Sequence, residues 1–141
     1  MLIIPGKSPL SNQTIVIKDG IITNIKSGFI PSNKVDKDAL LIDLSESFVM
    51  PGLMDMHSHV DMIVDAEYYT NIFYKDEADQ ALIATKFTED MLMAGFTTVR
   101  DLGDRADVTV ALRKAIAKGF VTGPRVFTSG MPLSSTGGHD D

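Results

Sequence analysis

The fold is decided by residues 49–60, which read Val49-Met50-Pro51-Gly52-Leu53-Met54-Asp55-Met56-His57-Ser58-His59-Val60. After the Pro-Gly turn, the run that starts at Leu53 is apolar on both faces, which predicts a strand buried in a parallel sheet. Side chains two positions apart on a strand share a face, so Asp55, His57 and His59 are expected on one side of it. Two imidazoles about 6.6 Å apart along a strand can converge on a single ion.

The His57-Ser58-His59 pattern has two interpretations. Taken alone, a His-x-His pair can be two polar residues at a strand end that meet water, since a short motif is only a hypothesis. Neutral imidazole is also the usual protein ligand for zinc and similar metals. The Pro-Gly turn, the apolar strand and the in-facing carboxylate of Asp55 precede the pair in that order, which favours half of a metal site at the carboxyl end of the strand.

The composition indicates a globular protein without nucleic-acid or membrane partners. The 141 residues are 44% hydrophobic and 23% charged, which suits one ordinary domain with a core. The net charge of −6 argues against a nucleic-acid surface, and the lack of cysteine excludes thiolate metal ligands. Residues 1–7 are too short an apolar run for a signal peptide, and no stretch is long enough to span a membrane. We therefore expect a cytoplasmic protein.

Residues 1–50 read as short strands separated by turns. Two β-branched runs, residues 14–17 and 21–25, flank Asp19-Gly20, which is a strong hairpin signal. Residues 39–44 are a further strand candidate. From Pro51 onward strands and helices alternate: a strand through His59, a helix over 77–94, a strand at 96–99, a helix from about Asp107 to Lys118 and a strand at 125–128. That order predicts parallel strands joined by helical crossovers.

Polar residues gather where these predicted strands end. His57 and His59 follow the first strand, Arg100 and Asp101 the second, and the glycine-rich loop with His139 the third. Active residues of α/β sheets collect at the carboxyl ends of strands, so these positions predict a shared site. The aromatic residues at 68–74 either pack into the core or form a short helix over the mouth of the site; we expect packing.

The chain resembles the amidohydrolase superfamily, in the branch of prolidase-like Xaa-Pro dipeptidases and arginine carboxypeptidases. The matching blocks are residues 49–59, residues 19–22, Gly95-Phe96-Thr97-Thr98-Val99-Arg100-Asp101, Gly123-Pro124-Arg125-Val126, Ser129-Gly130 and Thr136-Gly137-Gly138-His139. The resemblance implies an α/β fold in which residues 51–141 are the first part of a (β/α)₈ TIM-like barrel, with about three βα units. Residues 1–50 would then be the N-terminal part of a small β-sandwich domain.

The resemblance also implies chemistry. Such proteins are metal-dependent hydrolases that cleave C–N bonds, here peptide-like amides of amino acids, by metal-activated hydroxide. One or two zinc ions are implied, with His57 and His59 as ligands of the more buried ion. Asp55, Arg100 and Asp101 would support the ligands, Arg100 and Asp101 as an ion pair that shapes the barrel mouth. His139 would contact a small-molecule or dipeptide-like substrate, or else hold its own glycine turn.

The family pattern is only partly present. A (β/α)₈ barrel needs about 250 residues, and the bridging lysine, later histidines and catalytic aspartate of the family have no counterpart here. We therefore expect an N-terminal fragment that has no catalytic residue of its own, is inactive alone, and associates with itself through open sheet edges. Two alternatives stay open: a non-catalytic module that only binds or self-assembles, and, within the class, a cyclic amide or imidazolone hydrolase.

Overall fold

Residues 1–62 and 65–138 are described by a computed structural model of the chain. The fold divides into two units, Met1–Pro51 and Gly52–Asp141. In the first unit, β1 (Gln13–Lys18) pairs antiparallel with β2 (Ile21–Ser27). The turn between them has positive φ at both Asp19 and Gly20, the conformation that the Asp-Gly sequence favours. The predicted hairpin is thereby confirmed.

The strand predicted at residues 39–44 is wrong. These residues form no strand, and Leu40, Leu41 and Ile42 are all exposed, Leu40 at 86%. An apolar run becomes a strand only when a neighbouring strand pairs with its backbone, and none of the described strands of this unit does so. A 3₁₀ turn at Ser32–Lys34 precedes the run, and Leu2 bridges Leu10 and Val49.

The second unit alternates strands and helices as predicted. It contains β3 (Leu53–Ser58), α1 (Tyr68–Tyr74), α2 (Glu77–Met93), β4 (Phe96–Asp101), α3 (Val108–Ala117) and β5 (Arg125–Thr128). The strands are parallel in the order β3-β4-β5. A capping box between Asp76 and Asp79 starts α2, and Gly95, with φ of +98°, follows its last turn.

The core of this unit lies between the sheet and helices α2 and α3. Its buried members are Val60, Ala84, Val99, Leu112 and Val126. These residues come from two strands, two helices and the loop after β3, so burying them fixes the helices on the sheet. The carboxyl ends of β3, β4 and β5 are consequently held at one edge of the unit.

Strand β3 is not buried, contrary to prediction. Leu53, Met54 and Met56 are between 43% and 66% exposed. Among the described strands β3 pairs only with β4, so it is an edge strand with an uncovered apolar surface.

The packing predicted for the aromatic stretch is also wrong. Those residues form the short helix α1, and Tyr69, Phe73 and Tyr74 are each at least 77% exposed. A helix of two turns has little surface to bury, and these rings point away from the core that α2 and α3 complete. No helix within residues 1–62 and 65–138 is long and apolar enough to cross a membrane.

Candidate metal site

His57 and His59 lie side by side at the carboxyl end of β3. Their ring centroids are 5.8 Å apart and the rings are inclined by 67°. This is the arrangement predicted for positions two apart on a strand. Two imidazoles that each give one nitrogen to a tetrahedral zinc ion have centroids about 5 Å apart, given Zn–N bonds of about 2.1 Å. Both side chains are exposed, so an ion can reach them. The pair therefore fits a shared metal ion.

A hydrogen bond orients the ring of His59. Its Nδ1 lies 3.0 Å from the main-chain oxygen of Gly103, in the loop that follows β4. A carbonyl oxygen only accepts hydrogen bonds, so Nδ1 is the protonated nitrogen of the neutral ring. The lone pair is then on Nε2, the nitrogen that points away from Gly103. This is the usual way in which a protein fixes the tautomer of a histidine that binds metal.

Asp101 ties together the loops that follow β3 and β4. Its Oδ2 accepts the Val60 N–H at 2.8 Å and its Oδ1 accepts the Gly103 N–H at 3.2 Å. The side chain is 1% exposed. Burial raises the pKa of Asp101 above its ordinary value, although the two N–H groups oppose that rise. Asp101 is thus part of the support for His59.

The ion pair expected between Arg100 and Asp101 is wrong. Arg100 is exposed, and its Nε donates to the Met56 carbonyl at 2.8 Å across the strand pair. Successive residues of a strand point to opposite faces, which separates this guanidinium from the buried carboxylate beside it in sequence. Arg100 therefore braces β4 against the strand that carries the histidines.

The carboxylate of Asp55 lies next to His57 but contacts its backbone. Oδ1 of Asp55 accepts the His57 N–H at 3.0 Å. Asp55 therefore holds the chain in position at His57, whereas the sequence suggested a partner for an imidazole ring. His139, a candidate substrate contact, lies outside the described residues, and its role stays a prediction.

Two further buried carboxylates were not singled out from the sequence, Asp61 and Asp104. Each is 4% exposed, and each has an Oδ1 without a hydrogen-bond partner in the described part of the chain. Oδ2 of Asp104 accepts the Thr109 N–H in the first turn of α3. Burial, and then the charge of Asp101, raise the pKa of Asp61 to about 6. The signal that could have pointed to Asp61 is its position, two residues beyond His59.

The donor set for a metal is small. Within residues 1–62 and 65–138, no group of three or more His, Asp and Glu side chains is arranged to hold an ion. The two imidazoles are therefore candidate ligands only, and two ligands would be half of a tetrahedral shell.

A groove opens beside Arg100, at the carboxyl ends of β4 and β5. Its volume is about 350 Å³, and it is lined by Arg100, Asp101, Leu102, Phe127, Thr128 and Ser129. The lining combines a guanidinium, a carboxylate and two hydroxyls with the apolar side chains of Leu102 and Phe127. The groove therefore presents both polar and apolar groups.

Comparison with known proteins gives a consistent result. Residues 48–141 match the sequence model of the amidohydrolase family. The chain is similar to the structure of a Xaa-Pro dipeptidase with methionine bound in its active site, with a TM-score of 0.84 and 38% identity over 99% of this chain and 34% of that one. A prolidase complexed with N-methylphosphonate-L-proline gives a TM-score of 0.77 and 34% identity, over 93% of this chain and 30% of that one.

This chain is also similar in sequence to a curated protein. Ochratoxinase from Aspergillus niger is 35% identical over 147 residues, which cover 99% of this chain and 29% of that protein. This chain thus spans about a third of the length of the relatives that it matches.

Proposed function

The chain belongs to the amidohydrolase family, and from that premise we propose that its protein hydrolyses amide C–N bonds with a divalent metal ion held in part by His57 and His59. The observation that carries the proposal is the pair of imidazoles 5.8 Å apart at the carboxyl end of β3. Catalytic groups of (β/α)₈ enzymes occupy that end of the strands. Zinc is the proposed ion, because it takes imidazole nitrogen in tetrahedral sites.

The metal ion would supply the chemistry, and the side chains of this chain would bind and orient it. When bound, such an ion lowers the pKa of a water molecule to near neutrality and polarises an amide carbonyl. His57 and His59 would supply two of its ligands. Asp101, through Gly103, holds one ring in position, and Asp55 holds the backbone of the other.

The proposal needs further ligands from beyond the described residues. Two imidazoles leave about two positions of a zinc shell to be filled. We propose that they come from later strands of a (β/α)₈ barrel, of which residues 51–141 form the first units and residues 1–50 precede as part of a small β domain. The boundary between the two structural units, at Pro51 and Gly52, agrees with that division. The 141-residue chain alone would then be inactive.

The proposed substrates are peptide-like amides of amino acids. The groove beside Arg100 supports this, because the Nε of Arg100 donates to the Met56 carbonyl, while its Nη groups have no partner among the described residues and could bind a substrate carboxylate. Phe127 would contact an apolar side chain. The similarity to a Xaa-Pro dipeptidase and to a prolidase supports the same class. His139 is proposed as a further substrate contact.

The experiment begins with the coding sequence beyond codon 141. A reading frame that continues into strands with a lysine, two histidines and an aspartate supports the enzyme, whereas a stop codon favours a module that only binds. The protein so encoded is then assayed against the dipeptide Met-Pro. We expect hydrolysis that chelation abolishes and zinc restores, with at least a hundredfold loss in His57→Ala and His59→Ala and none in the exposed control Leu82→Ala. Hydrolysis that persists without either histidine contradicts the proposal.

A further inference from the structure

We propose that Asp101 is a positioning residue that selects Nε2 of His59 as the metal-binding atom. It does so by holding the Gly103 carbonyl against Nδ1 of the same ring. The inference rests on the proposed function for the identity of the ligand, but the tautomer itself can be measured without any metal.

Asp101 fixes the backbone of the loop that contains Gly103. Both carboxylate oxygens of Asp101 are used, one by the Gly103 N–H and the other by the Val60 N–H. Because Val60 follows His59 directly, a single buried side chain fixes the backbone on both sides of the His59–Gly103 hydrogen bond. An asparagine in its place has one acceptor oxygen and an NH₂ group that cannot accept, so it loses one of the two bonds.

Gly103 itself also packs closely against a neighbouring loop. A Cβ added at Gly103 would lie 3.0 Å from Cβ of Pro132, in the loop after β5. The backbone of Gly103 therefore lies close against Pro132. Gly103 is held both by this close approach and by the hydrogen bond from its N–H to Asp101.

The Gly103 carbonyl then determines which nitrogen of the His59 ring carries the proton. A neutral histidine ring in water exchanges its proton between Nδ1 and Nε2, and only the unprotonated nitrogen can bind a metal. An acceptor fixed 3.0 Å from Nδ1 keeps the proton there and leaves Nε2 free. Loss of the acceptor would let both tautomers form and would release the ring. Replacing partners of this kind typically lowers metal affinity 10- to 100-fold.

Asp104→Asn is the matched control. Asp104 is a second buried aspartate, three residues beyond Asp101. Its side chain accepts the Thr109 N–H of α3, and in the described residues it has no hydrogen bond to Val60, His59 or Gly103. Asp104→Asn removes the same charge from the same region as Asp101→Asn does. An effect of charge or of general loop stability would therefore appear in both variants, whereas positioning of His59 would appear only in Asp101→Asn.

The experiment measures ¹⁵N shifts of the histidine rings in the metal-free 141-residue chain, at a pH where the rings are neutral, and then the affinity for Zn²⁺ by calorimetry. We expect His59 of the wild type and of Asp104→Asn to carry its proton on Nδ1. We expect Asp101→Asn to show both tautomers at His59, an unchanged His57, and 10- to 100-fold weaker zinc binding.

Each outcome decides a different point. A wild-type His59 protonated on Nε2 overturns the inference, and this measurement requires no variant to fold. So does an Asp101→Asn chain that keeps both the tautomer and the affinity, or an Asp104→Asn chain that loses both equally. Hydrolysis of Met-Pro that persists without either histidine, found together with the expected tautomers, would contradict the proposed function and leave the effect of Asp101 on the His59 ring intact.

Discussion

Asp61 and Asp101 are both almost completely buried, at 4% and 1% exposure, and the negative charge of Asp101 acts on Asp61. Together with the burial of Asp61, which is the larger cause, this charge raises the pKa of Asp61 to about 6; Asp104 adds to it. Three acidic side chains therefore lie close enough to repel one another, and a protonated Asp61 is better accommodated among them than a charged one.

This relationship predicts how stability changes with pH. A raised pKa means that the folded chain binds the Asp61 proton more tightly than the unfolded chain does. The stabilising contribution is complete below the unfolded pKa of about 3.8 and is lost as the pH rises through about 6. Asp61→Asn cannot charge, so at pH 8 it should be more stable than the wild type, by up to about 3 kcal/mol. Near pH 4 the difference should nearly vanish.

The measurement is urea unfolding of the wild type and the variant between pH 4 and 8. Asp65→Asn is the control, because Asp65 is an exposed aspartate of the same loop whose Oδ1 accepts the Glu67 N–H, and asparagine can do the same. A stability difference between Asp61→Asn and the wild type that does not grow with pH would contradict the prediction.

A second prediction concerns the start of β3. A Cβ added at Gly52 would lie 2.1 Å from Oγ1 and 2.2 Å from Cγ2 of Thr97 on β4. Gly52→Ala should therefore destabilise the chain by about 1–3 kcal/mol, because one of the strands must shift. The cost should be smaller in a Thr97→Ala background, where the Cβ at 97 still lies 2.6 Å away. A double-mutant cycle by thermal unfolding measures the coupling; additive effects would mean that the two sites do not meet.

A third prediction compares two leucines of the second unit. Leu112 on α3 is 5% exposed and belongs to the core, whereas Leu82 on α2 is 71% exposed. Leu112→Ala should cost about 2–5 kcal/mol, since it removes buried methyl groups and leaves a cavity. Leu82→Ala should change the free energy of unfolding by no more than about 0.5 kcal/mol. Equal costs would show that α3 does not pack on the sheet as described.

Much of this arrangement follows from local sequence. The Asp-Gly turn and the alternation of strands and helices depend on neighbouring residues, and the structure has both of them. The adjacent rings of His57 and His59 follow from the period of a strand. Membership of the family was likewise visible in residues 49–59 and 95–101.

The features that the sequence did not predict correctly depend on residues that are far apart in the chain. The run at 39–44 had strand-like composition, but a strand needs a partner. Arg100 and Asp101 are neighbours in sequence, and the strand sends them to opposite faces. The burial of Asp61 and Asp104 arises only when the loops after β3 and β4 fold against each other, which no local pattern reports.

The last prediction concerns self-association through the exposed surface of β3. Met54 and Met56 share a face of this edge strand and are 66% and 51% exposed, and β3 pairs only with β4 among the described strands. Unpaired backbone groups beside apolar side chains favour pairing with a second chain. We therefore expect the 141-residue chain to sediment as dimers or larger species, and Met54→Lys with Met56→Lys to shift it toward monomer. Leu82→Lys with Met93→Lys, at two exposed positions of α2, adds the same charge without touching the strand and should leave the distribution unchanged. A wild-type chain that sediments as a compact monomer at all concentrations, or an α2 double variant that dissociates equally, would show that the edge of β3 does not drive association.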